Sequence, residues 1–245
     1  MWLSGKQEAA SSDRGQDTRE PQDPGRQKGT WVCVAWHSVS RVVGCCCLGS
    51  QKDQARAVQW LASWLNEVRQ REVTILRCDQ EAQLALWLRQ AVEKGGLLGV
   101  RLEQAAAREH NAVGGVERSH RTLQGMVRTL VHEAGATHGV TVDTGAGVEW
   151  AVRYAAWLLN RFSMHSDLGM TPYEAWTGKR RVWPHQVPGF LALVWAKVGV
   201  STSKLEPRWR VGRVLVCVNC ELIVQVSDSE VLWTSETRPA NLEDR

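Results

Sequence analysis

Residues 147–162 constrain the fold of this chain more than any other stretch. At about 100° per residue, Val148, Val152, Ala155, Leu159 and Phe162 fall on one stripe of a helix. Trp150, Tyr154 and Trp157 fall on the opposite side. A helix that is apolar on both sides has no face left for water, so it lies between two layers or between subunits. Either this chain or a second copy supplies the material for both sides.

The flanking segments offer it. Trp31 to Trp36 and Val39 to Leu48, rich in small and β-branched residues, predict a hairpin. Val58, Leu61, Leu65 and Val68 predict an amphipathic helix over 54–71, followed by a short strand, Val73 to Leu76. A second helix is expected over 82–94, closing on Gly95-Gly96, then a strand from Leu97 to Leu102 and a polar loop over 103–112. After Lys179 the pattern changes to short β runs at Phe190–Val198, Val211–Cys217, Leu222–Val226 and Val231–Thr234, separated by turn formers. That suits a small β module of SH3-like size.

At 245 residues and 43% apolar content, one domain of about 150 residues plus a smaller module is expected. The net charge of +4 permits nucleic acid as a partner without demanding it. Residues 1–30 are polar and hold almost no core formers, which predicts a disordered tail. They contain no apolar signal region, and no run in the chain reaches the length of a membrane span, so an intracellular protein away from membranes is expected. The triplet Cys45-Cys46-Cys47 reads as small buried hydrophobes in a reduced compartment. Cys217-Val-Asn-Cys220 is a lone C-x-x-C, and without a second pair it makes no zinc site.

The run from Ala112 to Val131 carries the chemistry. Gly114 and Gly115 are read as opening a helix whose buried face is Val116, Leu123, Val127 and Leu130. Glu117, Arg121, Gln124 and Arg128 share an adjoining stripe. On residue type alone this is a solvated charged face; a carboxylate in a first turn also suits the helix dipole, and arginines one to three turns on can follow a phosphate backbone.

The text Gly115-Val-Glu-Arg-x-x-Arg-Thr-Leu123 resembles the last catalytic motif of copia-type and related retrotransposon integrases. Gly169-Met-Thr-Pro-Tyr-Glu-Ala-Trp-Thr-Gly-Lys179 is similar to a T-P-Y-E-x-W-T-G-K block of the same family, and Leu158-Leu-Asn-Arg161 precedes it at the family's distance. The resemblance implies an α/β fold: an RNase H-like core, a mixed central sheet flanked by helices, over 31–180, then the small β module over 181–245. The order of elements above fits such a core with one early strand unassigned.

The resemblance also implies polynucleotidyl transfer on DNA by two Mg²⁺ or Mn²⁺ ions held by Asp, Asp and Glu. Glu117 takes the place of the Glu. Asp79, in Arg77-Cys78-Asp79-Gln80-Glu81, stands 38 residues earlier and takes the place of the second Asp; on residue type alone, an Asp at a strand end is a turn former. For the first Asp the family reads V-D-D-Y-S-R, whereas this chain reads Ala35-Trp-His-Ser-Val-Ser-Arg41, which puts His37 in the acid's place. Imidazole brings neither the negative charge nor the bridging geometry of a carboxylate, so impaired catalysis is expected. Arg118, Arg121, Arg128, Lys204, Arg208 and Arg210 are the expected nucleic-acid contacts, DNA and further copies of the chain the expected partners, and the nucleus the expected location. The alternative is a non-catalytic DNA- or protein-binding domain derived from an integrase.

Overall fold

The structure, a computed structural model, describes residues 2–4, 30–50, 53–68, 74–78, 81–104, 110–142, 145–180, 187–199, 207–218 and 221–241, with side chains from residue 30 onward except at 110–113. It is a mixed α/β architecture with two sheets. The first comprises Trp2–Ser4 (β1), Trp31–Trp36 (β2), Val43–Leu48 (β3), Thr74–Cys78 (β4) and Val100–Gln104 (β5), in the order β3-β2-β1-β4-β5. β1 runs antiparallel to β2, with Trp2 opposite Trp36, and parallel to β4, with Leu3 opposite Cys78. β2 and β3 form the expected hairpin, and β4 and β5 are parallel.

The unassigned early strand is therefore β1, at the centre of the sheet. It corrects the expectation of a tail at residues 2–4. Three residues are too few to show alternation, and what makes them a strand is pairing on both sides with segments about 30 and 75 positions away. β5 likewise sits over 100–104, where a polar loop was expected from residue 103.

Strand alternation sends side chains to two separate cores. Cys33, Ala35, Cys46 and Leu48 face one side with Leu76 and Cys78 of β4. Gln54–Val68 (α1) and Ala82–Lys94 (α2) cover that side through Leu61, Leu65, Leu84 and Leu88. On the opposite side Val34, Val43 and Cys47 meet His110–His138 (α3) and Ala146–Phe162 (α4). The six described cysteines are free thiols. Burial pushes those of Cys33 and Cys47 up to about 12, which keeps them neutral packing groups.

The second sheet holds Leu193–Lys197 (β6), Trp209–Val218 (β7), Glu221–Ser227 (β8), Glu230–Thr234 (β9) and Thr237–Pro239 (β10), all antiparallel, in the order β10-β6-β7-β8-β9. The helix α4 lies between the two sheets, the first of the two arrangements that its two-sided apolar pattern allows. Val152, Ala155 and Leu159 share one cluster with Val34 and Val43 of the first sheet and with Val214, Val216 and Val224 of the second. The Tyr154 hydroxyl donates to the Pro188 carbonyl at 2.7 Å, satisfying the polar end of a buried ring. Phe162, at the helix end, is 48% exposed and leaves the stripe.

Two local details anchor α4. The Asn160 side chain accepts from the Val43 N–H and donates to the Val43 carbonyl, both at 2.8 Å, so it serves the edge of β3 as a neighbouring strand would. The Arg161 guanidinium lies 3.7 Å from the centroid of the Tyr173 ring in Pro172–Thr177 (α5). That short helix has the expected proline in its first turn. Its capping box pairs Thr171 with Glu174, and Gly178 closes it with φ 67°.

The start of α3 differs from the expectation. Gly114 and Gly115 lie inside the helix, which begins at His110 and continues to His138. Gly115 is there for space: a Cβ on it would stand 2.3 Å from the Trp36 ring. Replacing Gly115 with Ala gains about 1 kcal/mol of helix propensity and meets an overpacking cost of about 1–3 kcal/mol. The expected result is a net loss of about 1 kcal/mol in urea unfolding. A raised midpoint would show that the Trp36 ring does not press on this helix.

Candidate functional site

His37 sits where β2 ends. Its backbone N–H donates to the Val42 carbonyl at 2.9 Å, and its own carbonyl accepts from the Arg41 N–H at 2.8 Å, which closes the hairpin turn. The Ser40 N–H points at Nδ1 from 3.3 Å and the Ser40 hydroxyl lies 2.6 Å from the same nitrogen. Nδ1 is thus an acceptor, which leaves the proton on Nε2. Burial holds the imidazole below its ordinary pKa, favouring this neutral form. Arg41 adopts φ 64° and ties the turn down: its guanidinium donates to the Ser38 carbonyl at 2.6 Å and to Asp167 at 2.6 Å, and lies 5.2 Å from the centroid of Trp36. The Ser40-Arg41 pair therefore holds the hairpin's shape.

The helix α3 presents the second group. Val116, Leu123, Leu130 and Ala134 are its buried stripe, and Glu117, Arg118, Arg121 and Arg128 are exposed. Val127 is only partly buried, packed on the edge of the cluster. Gln124, on the charged stripe, donates to His120 at 3.2 Å. Among the described residues none of Glu117, Arg118, Arg121 and Arg128 is in an ion pair. Arg121 and Arg128, seven residues apart, stand about 10 Å apart along the axis. The Trp36–Gly115 contact joins this part of α3 to the end of β2, one residue from His37 and two from Glu117.

The remaining expected positions fall differently. Asp79 and Lys204 lie outside the described residues. Arg208 is exposed at the start of β7. Arg210 is taken up by Glu230 in a two-pronged ion pair, Nη1 to Oε1 and Nη2 to Oε2, the latter at 3.0 Å. Sequence reading missed Arg238, whose guanidinium lies 4.3 Å from the centroid of Trp209. Its contact with Trp209 crosses β6 between residues 29 positions apart, so no local pattern announces it.

A pair of divalent ions needs several hard oxygen donors, one of them bridging. Among the described residues no group of three or more His, Cys, Asp or Glu is placed to hold a metal ion. Of the expected set, His37 and Glu117 are described. His37 has spent Nδ1 on Ser40, which leaves one neutral nitrogen where a bridging carboxylate is needed. The described donors do not fit a two-ion site.

The sequence matches no protein-family model and no curated protein. Solved structures similar in outline include a simian T-cell lymphotropic virus intasome in complex with the PP2A regulatory subunit B56 gamma, at 14% identity and TM-score 0.46, covering 86% of this chain and 73% of that one. The catalytic core domain of BIV integrase aligns at 21% identity and TM-score 0.45, covering 64% of this chain and 91% of that one. The HTLV-2 integrase catalytic core domain in complex with magnesium aligns at 11% identity and TM-score 0.45, covering 60% and 84%. No helix among the described residues is long and apolar enough to cross a membrane.

The depressed pKa of His37 has a signed consequence for stability. The unfolded chain binds a proton near pH 6.5 that the folded chain refuses. The contribution is therefore complete above about pH 6.5 and is lost as pH falls toward the folded value. Burial lowers the pKa of His120 in the same direction. Urea midpoints are expected to fall on acidification below about pH 6.5, and less steeply in His37→Gln. A proton NMR titration placing His37 above its ordinary pKa would reject the Ser40 arrangement.

Proposed function

We propose that this chain is a nucleic-acid-binding domain derived from a retrotransposon integrase core, with its strand-transfer chemistry impaired. The observation that carries the reading is the exposed stripe of α3, where Arg118, Arg121 and Arg128 stand without carboxylate partners among the described residues. Three unneutralised guanidiniums on one rigid helix suit a phosphate backbone, since each contact releases condensed counterions. The sequence resemblance at 115–123 and 169–179 supplies the ancestry. Arg161 stacked on Tyr173 and Asn160 bonded to Val43 give both later motifs a structural role in this chain.

Impairment rests on donor chemistry around the sheet. The central strand β1 reads Trp-Leu-Ser and runs beside β4, whose last residue, Cys78, precedes Asp79. No acid stands in that strand, and the hairpin position offers the imidazole of His37. Mg²⁺ or Mn²⁺ would have Asp79 and Glu117 as its carboxylates, with no third acid supplied by β1 or the hairpin. No transfer step is assigned to this set.

Two measurements test the reading. Fluorescence anisotropy with a duplex oligonucleotide over a salt series is expected to give a linear fall of log K with log[salt]. Each arginine changed to Ala lowers the slope by about 0.9, and the triple variant by about 3. A slope that the triple variant leaves untouched would remove α3 from the interface. In an end-joining assay with Mg²⁺ or Mn²⁺, the wild-type chain is expected to match Glu117→Gln at background. DNA joining that disappears in Glu117→Gln would show that the chemistry survives.

A further inference from the structure

The two sheets end in four edge strands, and three of these are blunted against further pairing. An edge strand shows a row of backbone N–H and C=O groups to any chain that can pair with them, so folded proteins protect it. At β3 the side chain of Asn160 occupies both backbone groups of Val43. β5 carries Arg101 and Glu103, both exposed, and Glu103 pairs with Arg77 at 2.7 Å. β10 reads Thr-Arg-Pro, and Pro239 has no N–H to offer. The fourth edge, β9, has none of these devices. It reads Glu-Val-Leu-Trp-Thr, and among the described residues its backbone pairs with β8 alone.

β9 is an apolar edge as well as an open one. Val231 and Trp233 are 45% and 53% exposed on one face of the strand, although Ile223, opposite Trp233 on β8, is buried. Leu232 points to the other face and packs on the core cluster. The strand's single charge is Glu230 at its first position, and Arg210 holds that carboxylate in a two-pronged ion pair. β-Branched and aromatic side chains stabilise a strand by packing on neighbours across the pleated surface. On its open side β9 offers one of each to whatever strand lies there.

We propose that β9 pairs antiparallel with β9 of a second copy of this chain, joining the two second sheets edge to edge across a twofold axis. The register follows from strand geometry. Residues opposite each other in a ladder project to the same face, so with the axis perpendicular to the sheet the pairing has to centre on a residue. Of such registers, the one centred on Leu232 alone pairs the whole strand from Glu230 to Thr234. It sets Val231 opposite Trp233 of the second copy and Trp233 opposite Val231, a β-branched and aromatic pair that strengthens a sheet on its exposed face. On the inner face Leu232 meets its own counterpart. Glu230 falls opposite Thr234, which keeps the two Glu230 carboxylates about 14 Å apart along the strands, so no like charges are opposed. The contact is isologous and closes at two copies, and the proline of β10 guards the sheet's other end. None of this uses the arginines of α3.

The test is sedimentation velocity of the full chain over a concentration series from about 1 to about 100 µM, where small interfaces dissociate. A reversible monomer–dimer equilibrium is expected. Val231→Lys and Trp233→Lys, both at exposed positions, are each expected to raise the dimer Kd at least about tenfold, because lysine on an edge strand opposes pairing. Their urea midpoints stay near the wild-type value, which separates loss of pairing from loss of fold. The register is read by cross-linking with diamide as oxidant. An equimolar mixture of Val231→Cys and Trp233→Cys chains is expected to give a covalent dimer above the wild-type background, and neither variant alone does so. A wild-type chain that stays monomeric over the whole series would overturn the proposal and leave this edge to an extended segment of another protein. A dimer that neither lysine variant weakens would do the same, since the contact then lies on another surface. Cross-linking of either cysteine variant with itself at the level of the mixture would also reject it, because pairing centred on Leu232 keeps like positions apart.

Discussion

The burial of α4 on both of its sides is the constraint from which most of this structure follows. Its apolar residues reach Val34 and Val43 in one direction and Val214 and Val224 in the other, so a single cluster runs through two sheets that share no strand. A side chain the size of Val or Leu taken fully out of water contributes about 2 kcal/mol, and the helix buries Val152, Tyr154, Trp157 and Leu159 together with the smaller Ala151, Ala155 and Ala156. A loss of α4 would expose both sheets at once. The second sheet is thus held to the first by packing as well as by the chain between them.

Polar contacts refine that packing. Asn160 makes a two-way bond with the backbone of Val43, which sets how far α4 can slide along β3. One residue on, Arg161 stacks on Tyr173 and holds α5 beside the wedge. Arg41 reaches from the hairpin turn to Asp167, across the chain segment between α4 and α5. Two sequence blocks that look unrelated along the chain, 158–161 and 169–179, are in this way one structural unit. The same unit fixes the hairpin end at which His37 stands, which is why a turn that resembles a metal-ligand text is built so firmly without an acid.

The chain separates two kinds of charged surface. Among the described residues the arginines of α3 make no ion pair, and they stand on a helix whose other side is packed on the core. The cations of the second sheet are partly neutralised, Arg210 by Glu230 and Lys197 by Glu236, or layered on indole, as Arg238 is. The difference comes from neighbours, since residue types alone are alike in the two places.

Much of the fold was legible along the chain because its signals are local. The limits of α2 follow from Leu84, Leu88 and Ala91 with Gly95 after them, and the helix at 172–177 from Thr171, Pro172 and Glu174; the two-sided pattern of α4 announced a layer on each side of it. Tertiary structure decided what depends on partners far away in the sequence. Trp2–Ser4 became the central strand through pairing with residues 34–36 and 77–78. Gly115 was needed for the ring of Trp36, which is 79 positions earlier. The imidazole of His37 went to Ser40, and Trp209 met Arg238 across a strand neither belongs to. Periodicity and capping reside in neighbouring residues and can be read one window at a time, whereas strand pairing, close approach and stacking exist only once distant segments have met.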